Sequence, residues 1–171
     1  MIHSTFDLRK EEVLEAAITV FATDGYNKVT TADISKVAGI SQPYIYRFFT
    51  SKEELFLAVV DRIYNRIIEA FRTIPPGPDF EVRLIRQYEK LMVTHPREIM
   101  LQVQTWGIRD ERIREKVARS LLDLLTTVQE AFAFDDPASA RTKAEDFLAR
   151  GVLCNLAMIL GAPELYRSRT G

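Results

Sequence analysis

The chain has 171 residues, 47% hydrophobic and 27% charged, with a formal net charge of −1. That balance excludes a domain that binds nucleic acid through bulk basicity, and a single cysteine, Cys154, excludes an internal disulfide. Seven Gly and seven Pro among long periodic apolar runs predict an all-α protein. No apolar run reaches membrane-spanning length and no long apolar segment opens the chain, so a cytoplasmic protein without a secretory signal or membrane partner is expected.

Residues 1–7 read as frayed. From about Leu8 to Asp24, the positions Val13, Leu14, Ala17, Ile18 and Phe21 form one helix stripe, and Gly25 ends it as a left-handed cap. After a loop from Tyr26 to Thr30, Thr31 is expected to cap a short helix whose apolar face is Ile34, Val37 and Ala38. Gly39 then supplies a tight turn, and Ile40 points back toward the core. Ser41 is the expected N-cap of a second short helix, with Pro43 in its first turn, where a missing N–H costs little. Ile45, Phe48 and Phe49 form its inward side, leaving Gln42, Tyr44, Tyr46 and Arg47 outward. Two short helices around a Gly turn, the second with a polar and aromatic outer face, have the form of the helix-turn-helix that enters the DNA major groove; an ordinary helical hairpin has the same local pattern. Within residues 1–52, Arg9, Lys10, Lys28, Lys36, Arg47 and Lys52 balance Asp7, Glu11, Glu12, Glu15, Asp24 and Asp33, so DNA affinity has to come from local placement of charge.

A capping box, Ser51 with Glu54 or Thr50 with Glu53, announces a fourth helix over about 51–74. Its stripe (Leu55, Phe56, Val59, Val60, Ile63, Tyr64, Ile67, Ile68, Phe71) is broad enough for more than one neighbour, and Pro75-Pro76-Gly77-Pro78 stops it. Asp79 opens a fifth helix carrying Phe80, Leu84, Ile85, Tyr88, Leu91, Met92 and His95; a sixth runs from about Pro96 to Trp106. Asp110 caps a seventh, with Ile113, Val117, Leu121, Leu124, Val128 and Phe132 in its stripe, widened by Leu122 and Leu125. Asp136-Pro137 is the expected N-cap and N1 pair of an eighth, which is apolar nearly all round over its second half and ends at Gly161 and Pro163. No ninth helix is expected.

The segment from Val13 to Phe56 joins a helix ending in Gly25-Tyr26, then Thr30-Thr31, Ile34, Ala38-Gly39-Ile40-Ser41, the Tyr44-to-Phe49 aromatic helix and Ser51-Lys52-Glu53-Glu54-Leu55. In that order it resembles the TetR (tetracycline repressor) family of transcriptional regulators. The resemblance implies a helix-turn-helix DNA-binding domain over residues 1–50 and a helical ligand-sensing and dimerisation domain over 51–171, joined by the fourth helix. It implies a ligand-responsive regulator, a repressor released by a small-molecule inducer. The partners would be a near-palindromic double-stranded operator and a second copy held through the seventh and eighth helices. Tyr46 matches the family's phosphate-contacting tyrosine, and Thr31 and Lys52 match helix-start positions that touch phosphate. Gln42, Tyr44 and Arg47 occupy base- or groove-facing positions, and Ser41 and Pro43 complete the candidate DNA-binding set. Two departures stand out: Pro43 where Gly is common, and Gln42 where a Lys often supplies a phosphate contact.

Further along, Tyr88, Met92, His95, Met100, Gln104 and Trp106 are candidates to line a ligand pocket, or else ordinary core and boundary residues. No metal site is expected, since His95 has no suitably spaced partner and His3 lies in the frayed start. No catalytic constellation or cofactor-binding loop is visible, so enzyme activity is not expected. The rival readings are a helical adaptor that kept the fold without specific DNA binding, and a helical-bundle enzyme.

Overall fold

The computed structural model describes residues 5–134 and 136–166, which places His3 outside the described residues. Among these residues are eight α-helices and no strand: α1 (Thr5–Asp24), α2 (Thr31–Ala38), α3 (Gln42–Ile45), α4 (Lys52–Arg72), α5 (Phe80–Thr94), α6 (Pro96–Thr105), α7 (Glu111–Ala133) and α8 (Ala140–Leu160), followed by a 3-10 turn, Pro163–Leu165. The all-α class expected from periodicity is the class observed.

The helices group into two compact units, one of Met1–Ile63 with Leu101–Val117, the other of Tyr64–Met100 with Ala118–Gly171. The compact unit around the helix-turn-helix is therefore larger than residues 1–50. It takes in the first half of α4 and a segment from the end of α6 to the start of α7.

In the first unit the stripe of α1 is buried as its spacing requires, with Ala17 and Phe21 fully enclosed. Phe21 meets Phe56 edge-on at 4.9 Å between ring centroids, and Tyr26 lies 4.6 Å from the same ring. Ile34, Ile45, Leu55, Phe56, Val59 and Val60 complete this core. Gly25 closes α1 with φ +79°, its N–H bonded to the Phe21 carbonyl at 2.9 Å. Arg62 of α4 pairs with Glu11 and Glu15 of α1. The second unit buries Tyr64, Ile67 and Phe71 of α4 with Leu84, Tyr88 and Leu91 of α5 and Phe147 and Cys154 of α8. Phe71 packs on Phe147 at 5.5 Å, Phe80 on Phe132 at 5.4 Å, and the Tyr88 hydroxyl donates to Asn155 Oδ1 at 2.9 Å. That bond satisfies two buried polar groups at once.

Several local expectations are corrected. Thr31 is not the N-cap of α2: Thr30 is, in extended geometry, and it forms a capping box with Asp33. Val37 is exposed. Ser41 does occupy the N-cap position of α3, but its side chain makes no capping bond, and α3 is a single turn followed by further turns to Phe48. At α4, Ser51 Oγ accepts the Glu54 N–H at 3.0 Å, while the Glu54 carboxylate reaches back to the Thr50 N–H at 2.6 Å, so the box is spread over both expected residues. Asp79 stands at the N-cap of α5 in the left-handed region, φ 56°, without a capping bond. Asp136 and Pro137 lie in the turn before α8, whose N-cap is Ser139; Asp136 Oδ1 instead accepts the Ser139 N–H at 3.3 Å. On α7, Leu122 is exposed.

Candidate nucleic-acid interface

The outer surface of the helix-turn-helix follows from one buried residue. Ile45 is fully enclosed, and Phe49 nearly so. With that side fixed inward, helical spacing turns Gln42, Tyr46 and Arg47 outward, and all three are exposed, as are Ser41 and Pro43 at the leading turn; Tyr44 is half-buried.

Two sets of contacts hold these side chains. The first is centred on Thr31, buried at the start of α2. Its hydroxyl accepts from Gln42 Nε2 at 2.8 Å and lies 3.1 Å from the Tyr46 hydroxyl. The second is an aromatic ladder. Phe6 packs on Phe48 at 4.7 Å, Phe48 meets Tyr44 edge-on at 5.2 Å, and the Arg47 guanidinium lies 5.0 Å from the Tyr44 ring centroid. A cation over a tyrosine face gains a modest electrostatic attraction and loses rotational freedom. Among the described residues no carboxylate pairs with Arg47.

Lys52, in the first turn of α4, donates to the Tyr26 carbonyl at 2.9 Å and sits 4.5 Å from that ring's centroid. The carbonyl uses one of three ammonium protons, and the charge is uncancelled. Four of the six acids that balance the local charge in sequence are engaged with other cations: Glu11 and Glu15 with Arg62, Glu12 with Arg9 at 2.6 Å, and Asp24 with Lys28 at 3.4 Å. Asp33 accepts the Thr30 hydroxyl at 2.6 Å and its N–H at 3.0 Å, and these bonds hold its carboxyl below the usual range. Within a segment whose formal charge sums to zero, Arg47 and Lys52 thus carry positive charge with no ion pair among the described residues.

The six candidate pocket residues divide between the two compact units. Tyr88, Met92, His95 and Met100 belong to one compact unit, Gln104 and Trp106 to the other. Tyr88 is committed to Asn155, Met92 Sδ lies 3.5 Å from Cys154 Sγ, His95 Nδ1 bonds the Thr94 hydroxyl at 2.8 Å, and Met100 is exposed. Gln104 donates to the Ala22 carbonyl near the end of α1 at 3.0 Å. Of the six, only Tyr88 borders the small cavity of about 20 Å³ that Ile85, Glu89, Phe147, Arg150, Cys154 and Tyr166 also line. That volume holds about one water molecule. Among the described residues no cluster of His, Cys, Asp and Glu could hold a metal ion, and no helix is long and apolar enough to cross a membrane.

Sequence reasoning missed the Thr31 hydroxyl as a meeting point and the Gln104 tie across 82 positions. The first had a local signal, a Thr one residue inside a capped helix; the second had none.

Residues 13–59 match the profile of "Bacterial regulatory proteins, tetR family". The biofilm operon icaADBC HTH-type negative transcriptional regulator IcaR of Staphylococcus epidermidis is 26% identical over 142 residues, covering 81% of this chain and 76% of IcaR. The HTH-type transcriptional activator FasR of Mycolicibacterium smegmatis is 38% identical over 66 residues, which is 39% of this chain and 30% of FasR. Among solved structures, a TetR-like transcriptional regulator from Rhodococcus sp. RHA1 superposes with a TM-score of 0.74 at 21% identity, over 96% of this chain and 90% of that one.

Proposed function

We propose that the chain is a TetR-family DNA-binding transcriptional regulator that represses from a near-palindromic operator as a homodimer and is released by a small-molecule inducer. In this reading α3 enters the major groove. Gln42 and Arg47 face bases, with geometries suited to adenine and guanine respectively, and Tyr44 packs on a thymine methyl. Tyr46 and Lys52 contact phosphates on the flanks, and Ser41, Pro43 and Thr31 shape the leading edge. The observation that carries the reading is the exposure of Gln42, Tyr46 and Arg47 on the turn whose opposite side, Ile45, is sealed in the core.

Dimerisation through α7 and α8 is supported by a stripe of exposed apolar residues on α8, Val152, Leu153, Leu156, Ile159 and Leu160, with Leu122 of α7 also exposed. Their spacing keeps them on one side of the helix, the pattern of an unpartnered seam. Two copies would set their recognition helices roughly 34–36 Å apart, one DNA turn. The inducer would favour a state in which the cavity beside Tyr88 is enlarged, because drug-sized ligands need some 300 Å³ or more. It shifts the balance only by binding that state more tightly than the DNA-bound one. The domain division at residue 50, with α4 as connector, and a cytoplasmic location belong to the same proposal.

The test is selection of bound duplexes from a random library, followed by a salt titration on the selected sequence. Two subunits each neutralising one phosphate, through Lys52, give a log–log slope of roughly −2. A near-palindrome with such a slope supports the regulator. No enriched sequence, or affinity indifferent to salt, supports the adaptor.

A further inference from the structure

Thr31, the hub of the first contact set, is a poor direct ligand for DNA. The residue is 6% exposed, and its two hydrogen-bonding neighbours are the first residue of α3 and the residue that caps its end, eleven and fifteen positions away. We propose that Thr31 is a positioning residue for sequence readout, a buried hydroxyl that sets the amide of Gln42 and the proton of Tyr46 for the groove. This inference rests on the DNA-reading assignment of α3 and adds to it the group that makes that reading specific.

The argument is an inventory of protons and lone pairs. A threonine hydroxyl has one proton and two lone pairs. The Gln42 amide, 2.8 Å away, has only its N–H groups to bring to that oxygen through Nε2, so it takes one lone pair. The hydroxyl proton is then available to the Tyr46 oxygen at 3.1 Å. Once Tyr46 accepts from Thr31, its own proton has no use inside the protein and points to solvent, where a phosphate oxygen is the acceptor that a nucleic acid offers. In the proposed relay the donors run one way, from amide to buried hydroxyl to phenol to phosphate. Each bond in such a chain polarises the next.

The same bond settles Gln42. With one N–H held by Thr31, the amide keeps its carbonyl and its other N–H, which are the acceptor and donor that a paired contact to adenine requires. A free glutamine on a surface turn samples many rotamers, and fixing one before binding removes that ordering cost from the complex. The relay thus supplies geometry at a position, Gln42, that carries no charge.

Thr31→Val keeps the shape and removes the hydroxyl; Thr31→Ser restores it. The binding of each is measured by fluorescence anisotropy against the duplex selected by the wild-type chain and against a panel changing one base pair at a time. The relay predicts that Thr31→Val weakens operator binding about 5- to 30-fold, as expected for the loss of two hydrogen bonds. It also predicts that discrimination collapses at the base pair where Gln42→Ala collapses it, and that Thr31→Ser recovers both. A Thr31→Val chain that keeps its helical content and its wild-type base preferences overturns the relay while leaving the DNA-reading assignment intact. A wild-type chain that selects no sequence overturns both. If Thr31→Val does not fold, the cycle of Gln42→Ala with Tyr46→Phe replaces it, since both positions are exposed: a shared hub predicts coupled losses, and additive losses overturn it.

Discussion

Arg47→Ala tests how the outer face of α3 and the turns that follow it work as a unit. The guanidinium lies over Tyr44, which is itself braced edge-on by Phe48, and Phe48 by Phe6. The arginine therefore reaches the groove from a shelf, and two losses can be separated. Removing the arginine deletes a paired base contact worth about 1–3 kcal/mol, a weakening of roughly 5- to 150-fold confined to the cognate base pair. Removing the shelf with Tyr44→Leu, which keeps an apolar side chain for the thymine methyl, frees the guanidinium at a cost of about 0.5–1 kcal/mol in cation–π attraction, some two- to fivefold. The double variant should then lose little more than Arg47→Ala, because the shelf matters only while the arginine is present. Anisotropy titrations on the cognate duplex and on one altered at a single base pair measure all three. Equal loss on both duplexes would refute base reading, and fully additive losses would refute the shelf.

Thr30→Ala should destabilise the chain by about 1 kcal/mol in urea melts, the usual worth of an N-cap, because α2 has only eight residues and little helical stability of its own; the Asp33 carboxyl should move back up toward its ordinary range in an NMR titration, and no movement would remove the box. Glu98 is buried on α6 and pairs with Arg66 of α4 at 2.8 Å, so Glu98→Ala, which removes that charged hydrogen bond, should lower stability by about 1.5–3 kcal/mol; a calorimetric change under 1 kcal/mol would contradict it. Leu156→Glu should convert the dimer to monomer in sedimentation velocity while leaving the circular dichroism of the helices in place, and a persistent dimer would move the seam elsewhere. Asp33, Glu54 and Asp136 are all held low by hydrogen bonds, from Thr30, from Thr50, and from Ser139 and Lys143, with Asp136 at about 2. Their stabilisation is complete above the ordinary carboxylate range near about 4 and is lost as pH falls through the lowered values, so urea midpoints should drop from pH 5 toward pH 2. Thr50→Val should blunt part of that fall, and an unchanged profile would argue against the Glu54 contact.

The fold was legible wherever an apolar side chain recurred over several turns. In α1 the stripe from Val13 to Phe21 admits only one inward side, and in α3 a single Ile45 between polar neighbours settles which way a one-turn helix faces. Short elements gave way where two neighbours compete for a role. Thr30 and Thr31 are both good caps, and the acid three residues after Thr30 decides between them, a signal present in the chain. Val37 is out of the core because Thr31, Ile34, Ser35 and Ala38 already span the inward arc of a two-turn helix. Asp136-Pro137 suits either a helix start or the turn before one, and the Asp136 carboxylate closes the turn by taking the Ser139 N–H. The interface residues could be placed by register, but not the contacts that aim them: the Thr31 hydroxyl acts on side chains brought near only by the turn at Gly39, and the Tyr44 ring on an arginine three positions on, whose rotamer register does not fix. The candidate pocket was the least legible part: an apolar stripe looks the same whether it lines a cavity or fills one.

The most direct measurement attaches a DNA-cleaving iron chelate to position 42. Cys154 is buried, so a Gln42→Cys chain presents one accessible thiol among the described residues for labelling. Bound to its selected duplex, the conjugate should cut each strand in two clusters about one helical turn apart, one for each copy of α3 in the groove. Cuts no different from those of the free chelate, or scattered along the duplex without spacing, would show that this turn does not face the bases.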